Sequence, residues 1–144
     1  MRTLTIVAAS AVLCFAAKSL ALKDLPADVQ KTVQAELKGA EIRNIGKEIE
    51  QGVVQYEVET MLKGKHRDFN VDTKGKLLLV EDETAIEVIP APAKAAMLKR
   101  VGAGKLGVVE LFIRGETMYE AAYSGKDGKK HKVLVKADGT EAKD

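Results

Sequence analysis

Four carboxylates are the residues whose types and spacing could most readily do chemistry. Glu57, Glu59, Asp68 and Asp72 lie within YEVETMLKGKHRDFNVDTKG, residues 56–75, together with a histidine. Paired carboxylates can perform general acid/base catalysis, and a histidine beside carboxylates can bind a metal ion. The segment therefore raises the question of whether the chain is an enzyme.

The pattern around these acids favours a strand over an active site. In VVQYEVET, Tyr56 and Val58 share one face, and Glu57 and Glu59 share the other, which is typical of a sheet with one covered side. Asp68 is expected on the polar face of the next strand. Opposed acids without a base beside them suit a binding face better than catalysis, so we predict no catalytic residues.

The remaining candidate groups are also weak as metal or cofactor sites. His66 and His131 lie among lysines, in segments predicted to be turns, and cationic neighbours disfavour a bound cation. The acidic run at 81–83 lacks the alternating spacing and glycine of a calcium loop, so a solvated connector is predicted. We expect no metal and no cofactor.

The elements that position these residues come from an internal repeat at a spacing of 64 residues. Val29, Val33 and Leu37 recur every four residues and predict a helix, and adding 64 gives Ala93, Met97 and Val101. Alternation and glycine turns then predict strands at 41–50, 53–62 and 67–72, a short strand at 76–81, and further strands at 105–114, 117–124 and 130–136.

The fold class predicted is α+β, with two tandem α-β-β-β repeats at 22–88 and 89–144 whose helices pack on one face of the sheet. The two sheets are expected to join edge to edge, because unpaired edges are a liability. In the second copy, Ala122, Lys132 and Lys136 replace Glu59, Asp68 and Asp72. Only the apolar face and the turns recur, which again argues against catalysis.

Residues 1–21 have the layout of a secretory signal peptide, with cleavage expected after Ala21 and a periplasmic or secreted location. An uncleaved anchor or a lipoprotein is the alternative. Cleavage would leave 21 basic and 21 acidic residues, a total that gives no indication of nucleic-acid binding, and would leave no stable membrane span. The halves differ: residues 22–88 carry 10 basic and 14 acidic residues, and 89–144 carry 11 and 7.

The sequence resembles a PepSY-like domain protein. The resemblance rests on LP before an amphipathic helix, YEV on a strand and DFNVDTKGK ending in a glycine turn, repeated as IP, YEAAY and KVLVKADGT. Two such units behind a signal peptide are similar to secreted bacterial proteins related to the β-lactamase inhibitor protein fold. The resemblance implies an α+β binding module, with an inhibitory or regulatory role towards peptidases, and no catalytic residues.

We therefore predict an exported, non-enzymatic binding protein that inhibits or regulates a peptidase or another envelope protein. The alternative is a small-ligand or ion-sensing module of the cell envelope. The partner is an unknown protein of the periplasm or extracellular space. The predicted partner-binding residues are Glu57, Glu59, Asp68, Lys129, Lys130 and Lys132.

Overall fold

The computed structural model describes residues 19–143. Within them, two helices, α1 (Ala27–Leu37) and α2 (Ala91–Val101), each precede a run of four strands, and a short 3-10 helix, Leu22–Asp24, precedes α1. The strands are β1 (Glu41–Glu50), β2 (Val53–Leu62), β3 (Lys65–Asp72) and β4 (Leu77–Thr84), then β5 (Lys105–Arg114), β6 (Glu116–Ser124), β7 (Lys130–Lys136) and β8 (Glu141–Ala142).

The α+β class predicted from the sequence is confirmed, and β1, β2, β5 and β7 have the predicted bounds. Two predictions were wrong. β4 extends to Thr84, so the acidic run at 81–83 lies on a strand and not in a connector. β8 was not predicted, so α2 is followed by four strands instead of the three expected.

The eight strands form one antiparallel sheet in chain order. Strands β4 and β5 join its two halves, with Val80 opposite Ile113 and Thr84 opposite Val109. The expected edge-to-edge joining is therefore confirmed. That the two halves are copies of one unit stays a prediction.

Each helix begins at a proline. Pro26 and Pro90 occupy the N-caps of α1 and α2 with φ near −55°, a value that the pyrrolidine ring imposes. α1 ends where Lys38 adopts a left-handed conformation and Gly39 follows at φ 91°, which turns the chain into β1.

Both helices cover the same face of the sheet. Val29 and Val33 of α1 are fully buried against Val58 and Phe69, and full burial of such side chains stabilises by about 1.5–3 kcal/mol each. The second core has the same build, with α2 packed on β5, β6 and β7. It consists of Ile89, Ala93, Met97, Val109, Ala121, Val133 and Val135.

The opposite side, which we call the open face, is covered by neither helix. It still has an apolar centre, made of Leu79, Phe112, Met118 and Leu134. At one end, Glu50 of β1 reaches Arg114 of β5 with 3.3 Å between Oε1 and Nη2. Four strand spacings in a flat sheet would be about 19 Å, so the sheet curls towards the open face.

Most of the predicted signal peptide, residues 1–18, lies outside the described residues. The part that is described contacts the domain: the Leu20 N–H donates to the Ile45 carbonyl at 2.9 Å, and Ser19 Oγ accepts from the Ile45 N–H at 3.3 Å. Leu20 also packs against the first core. These contacts occupy part of the exposed edge of β1.

Candidate functional site

A band of carboxylates crosses the open face from β2 to β6. Alternation places them there, because residues next to a helix-facing residue point the opposite way. Glu59 lies opposite Asp68, and Asp68 lies opposite Glu81. Further along the sheet, Glu110 lies opposite Glu120. Like charges in opposed positions repel, so the packing of the sheet on its helices must hold this band together.

Three of these carboxylates meet near the centre of the sheet. Oxygens of Glu81, Glu110 and Glu120 all lie within 4.8 Å of one another. Glu120 is the most enclosed, with 3% of its side chain exposed, and its Oε1 lies 2.6 Å from the Nζ of Lys132. The Lys132 side chain is itself 65% exposed. Lys132 therefore partly neutralises the cluster from its solvent side.

Burial and mutual repulsion make this cluster easy to protonate. Burial raises the pKa of Glu81 from 4.5 to about 7; Glu110 and Glu120 add to the rise, and Lys132 opposes it. Burial also raises the pKa of Glu110, with the nearby charge of Glu120 as the next cause. Glu81 can therefore exchange a proton near neutral pH, and its ionisation depends on the charge of Glu110 beside it.

The β2–β3 end of the band has similar electrostatics. Burial raises the pKa of Glu57 from 4.5 to about 7, and the charges of Glu48 and Glu59 contribute. Burial raises the pKa of Asp68 as well, although a hydrogen bond from the Thr60 N–H opposes the change. At both ends of the band, therefore, the surroundings disfavour the charged form of the carboxyl groups.

The acidic residues predicted to bind a partner are less exposed than expected, and two of them are hydrogen-bonded within the sheet. Glu57, Glu59 and Asp68 are half-buried, not exposed. Asp68 Oδ1 accepts a hydrogen bond from the Thr60 N–H at 2.8 Å, and Glu59 Oε1 accepts one from Asn44 Nδ2 at 2.9 Å. These contacts give both acids a role within the sheet in addition to any role at its surface.

A depression of about 190 Å³ lies beneath the Glu50–Arg114 ion pair, with Val53 and Leu79 in its walls. The Arg114 guanidinium also lies 5.3 Å from the centre of the Phe112 ring, within the range of a cation–π contact. Val53 is 48% exposed. This end of the open face therefore offers apolar surface beside acidic surface.

The predicted lysines divide into two groups. Lys132 lies on the open face with the acids, since it is paired with Glu120. Lys129 and Lys130 lie at the tip of the β6–β7 hairpin, four strands from β2 and β3 in sheet order. The six predicted residues are therefore not one contiguous patch, and the structure brings only Lys132 to the acidic band.

Both histidines lie on strands and not in turns. This corrects the turn placement predicted for His66, whereas His131 lies within the strand that was predicted at 130–136. The His131 ring stacks on Tyr123 with 5.2 Å between ring centres, and its Nε2 lies 3.7 Å from Asp127 Oδ1. Over residues 19–143, neither histidine belongs to a group of three or more side chains placed to hold a metal ion.

The sequence analysis missed Glu81, Glu110 and Glu120. The pairing of Glu110 with Glu120 could have been predicted from the sequence. In a hairpin that turns at Gly115, residues at equal distances from the glycine lie opposite each other, and these two glutamates are such a pair. Placing Glu81 beside them requires the pairing of β4 with β5. No local pattern indicates that pairing.

Chemically, the open face can attract a cation and hold it against half-buried carboxylates. Perturbed carboxylates are also candidates for acid/base catalysis. However, the depression next to Glu120 and Lys132 measures about 200 Å³ and opens to solvent, below the roughly 300 Å³ typical of a small-molecule site. The arrangement is better suited to contact with another surface.

Comparison with solved structures shows the class of fold. A candidate periplasmic protein of Bacteroides eggerthii is similar with a TM-score of 0.66 and 13% sequence identity, over 83% of this chain and 86% of that one. A DUF2874 family protein of Bacteroides ovatus gives 0.64 and 11%, over 83% and 85%. At such identities the likeness shows the fold alone.

A BLIP-like protein of Bacteroides fragilis is also similar, with a TM-score of 0.55 and 19% identity over 78% of this chain and 82% of that one. The expected relation to the β-lactamase inhibitor protein fold is therefore confirmed for the fold. No protein-family model and no curated protein matches the sequence. In residues 19–143, no helix has the length and apolar character needed to cross a membrane.

Proposed function

We propose that this protein is an exported, non-enzymatic, PepSY-like binding module that covers a site on another protein with the open face of its sheet. One observation carries the proposal: both helices cover the same side of an eight-stranded sheet. The other side, with its carboxylates and its apolar depression, is left available to a partner.

The shape of the open face limits where a partner can make contact. The curl of the sheet brings Glu50 of β1 to 3.3 Å from Arg114 of β5, and the apolar centre of the face is buried. A partner can therefore contact the parts of the face that stay exposed, such as Val53, which is 48% exposed.

The non-enzymatic character rests on the surroundings of the acids. Glu59, Asp68 and Glu81 face one another across the strands, so each acid has another acid as its neighbour. A general acid/base pair needs a reacting group enclosed between its members. The open depressions described above favour surface contact over enclosure.

The candidate periplasmic protein and the BLIP-like protein named above support an exported location and a binding role. The PepSY-like identity rests on the sequence motifs. A peptidase is one partner class that this identity suggests. Inhibition would then follow from occlusion, because a bound sheet face excludes substrate from the site it covers.

Site-specific photo-crosslinking in the exporting cell tests the proposal. A photoreactive amino acid is placed at Val53 on the open face, and at Leu98 of α2 as a matched control of similar exposure, 48% against 44%. We expect Val53 to crosslink a protein that also forms a stoichiometric complex with the purified chain. Crosslinks only from Leu98, or none from Val53, would refute the proposed function.

A further inference from the structure

We propose that a depression at one end of the open face, flanked by Lys105 and Lys130, binds an acidic residue of the partner protein and an apolar side chain next to it. We call this site the basic depression. The inference rests on the proposed function and specifies the chemistry of the partner. It follows from three features: the shape of the depression, its lysines, and an exposed valine in its wall.

A β-bulge forms the basic depression. The register of β5 against β6 shifts between Leu106 and Val109, and the two residues between them, Gly107 and Val108, line the depression together with Ala122 of β6. Bulges interrupt strand pairing and often lie next to functional sites. The space measures about 320 Å³ and opens to solvent. Sites for small molecules are enclosed and begin at roughly 300 Å³, so this open space is better suited to the side chains of a bound protein.

The two lysines belong to one row of residues across three strands. Lys105 of β5 lies opposite Ser124 of β6, which lies opposite Lys130 of β7. Alternation places this row on the open face, because Tyr123, the neighbour of Ser124, packs against the core beneath α2. All three residues line the basic depression. A carboxylate there would therefore meet two ammonium groups and a hydroxyl, all of which can donate to it.

The lysines of the basic depression have no acidic partner within residues 19–143. Lys105 and Lys130 are both exposed, and neither belongs to an ion pair in this part of the chain. The half of the sequence that contains them is also basic in total, since residues 89–144 carry 11 basic and 7 acidic residues. The complementary group on a partner is therefore negatively charged.

The acids close to these lysines in the fold are engaged with other groups. Asp127, at the tip of the β6–β7 hairpin, accepts a hydrogen bond from the Lys129 N–H at 3.0 Å and lies 3.7 Å from Nε2 of His131. Glu120, at the β6 end of the acidic band, lies 2.6 Å from Nζ of Lys132. Lys132 stays in this pair, so the basic depression and the acidic band are separate parts of the open face.

Apolar surface in the basic depression favours a protein segment over a free anion. Val108 is 43% exposed, and Ala122 beside it is half-buried. An inorganic anion would leave this surface in water, whereas an apolar side chain next to the acidic residue would cover it and gain from its burial. Protein interfaces combine apolar contacts with a polar rim in this way.

A short synthetic peptide with alternating glutamate and valine, labelled for fluorescence anisotropy, is the probe. Two double variants have the same net charge: K105Q/K130Q in the basic depression, and K47Q/K65Q at exposed positions on β1 and β3. We expect K105Q/K130Q to weaken peptide binding roughly tenfold, at about one exposed ion pair's contribution per lysine, whereas K47Q/K65Q should stay within about twofold. Val108→Ser should weaken binding of this peptide about threefold and leave binding of a glutamate–serine peptide unchanged.

Circular dichroism checks folding, and the glutamine variants should fold because the replaced lysines are exposed. Absence of peptide binding, or an equal loss in both double variants, overturns the inference. Stoichiometric, micromolar displacement of the peptide by inorganic phosphate overturns it in favour of a small-anion site. Tighter binding to vesicles of anionic phospholipid than to the peptide overturns it in favour of a membrane surface.

The crosslinking experiment separates this inference from the proposed function. If Val53 crosslinks a partner while the peptide results fail, the inference about the basic depression falls and the proposed function stands. If the peptide and its variants behave as expected and Val53 gives no crosslink, the proposed function falls and the basic depression remains a site for an acidic segment.

Discussion

The Arg67 guanidinium donates through Nη1 to both carboxylate oxygens of Asp82, the residue directly opposite on β4, at 2.5 Å each. It also donates to the Glu36 carboxylate at 2.9 Å and to the Glu36 carbonyl at 3.2 Å. The last turn of α1 contains no basic residue. Arg67 therefore supplies the cation and the donors that this helix end needs.

Arg67→Ala should be strongly destabilising. The arginine side chain is 6% exposed and Glu36 20%, and loss of one member of a buried ion pair typically costs about 3–5 kcal/mol. Since Asp82 is partly exposed, we expect about 3 kcal/mol, measured by urea denaturation. Arg43→Ala is the control, because its pair with Glu41 is exposed at both ends; it should change stability by less than about 1 kcal/mol. Equal effects would contradict this role of Arg67.

Gly75→Ala should distort the contact between the β3–β4 turn and α1. Gly75 has φ +84°, and an added Cβ would lie 2.7 Å from the Asp28 carbonyl oxygen. Strain and clash together should cost about 2–4 kcal/mol. Gly64→Ala is the matched control, with φ +81° and nothing within 4 Å, so strain alone should cost about 1 kcal/mol. Indistinguishable melting temperatures for the two variants would show that the close approach to α1 is unimportant.

Local sequence patterns were sufficient to predict most of the fold. Tyr56, Val58, Phe69 and Val71 alternate with polar residues and are all buried, and glycine turns set the hairpin registers. The pattern also places Arg67 on the same face as Phe69, so its burial could have been inferred. Its charge and its lysine-rich surroundings obscured that signal.

The candidate site was predictable only in part. Glu59 and Asp68 were found because one hairpin pairs them, whereas the central cluster depends on contact between strands separated by a helix. Pairing across such a distance leaves no periodic trace in either strand. β8 contains two residues, too few for alternation to be recognised.

Cleavage after Ala21 should have a measurable structural cost. It removes Ser19 and Leu20, and with them two hydrogen bonds to Ile45 and part of the first core. We expect a chain that begins at Leu22 to be about 1–2 kcal/mol less stable than one that begins at Ser19. The Ile45 amide should also exchange faster with deuterium. Equal stability and exchange would show that the segment makes no contribution, and mass spectrometry of the exported protein identifies the natural N-terminus.

Stability should fall as the pH rises from about 4.5 to about 7. Glu57 keeps its proton up to about pH 7 in the folded chain, whereas its ordinary value is 4.5; Glu81 behaves alike. The folded state therefore binds more protons than the unfolded state in this window, and unfolding becomes easier as they are lost. Glu57→Gln should stabilise the protein at pH 8 by about 1 kcal/mol, a value lowered for solvent screening, and have little effect at pH 4.5. Urea denaturation across this range measures the difference, with Glu87→Gln as the exposed control. A Glu57→Gln effect that does not change with pH would contradict the raised pKa.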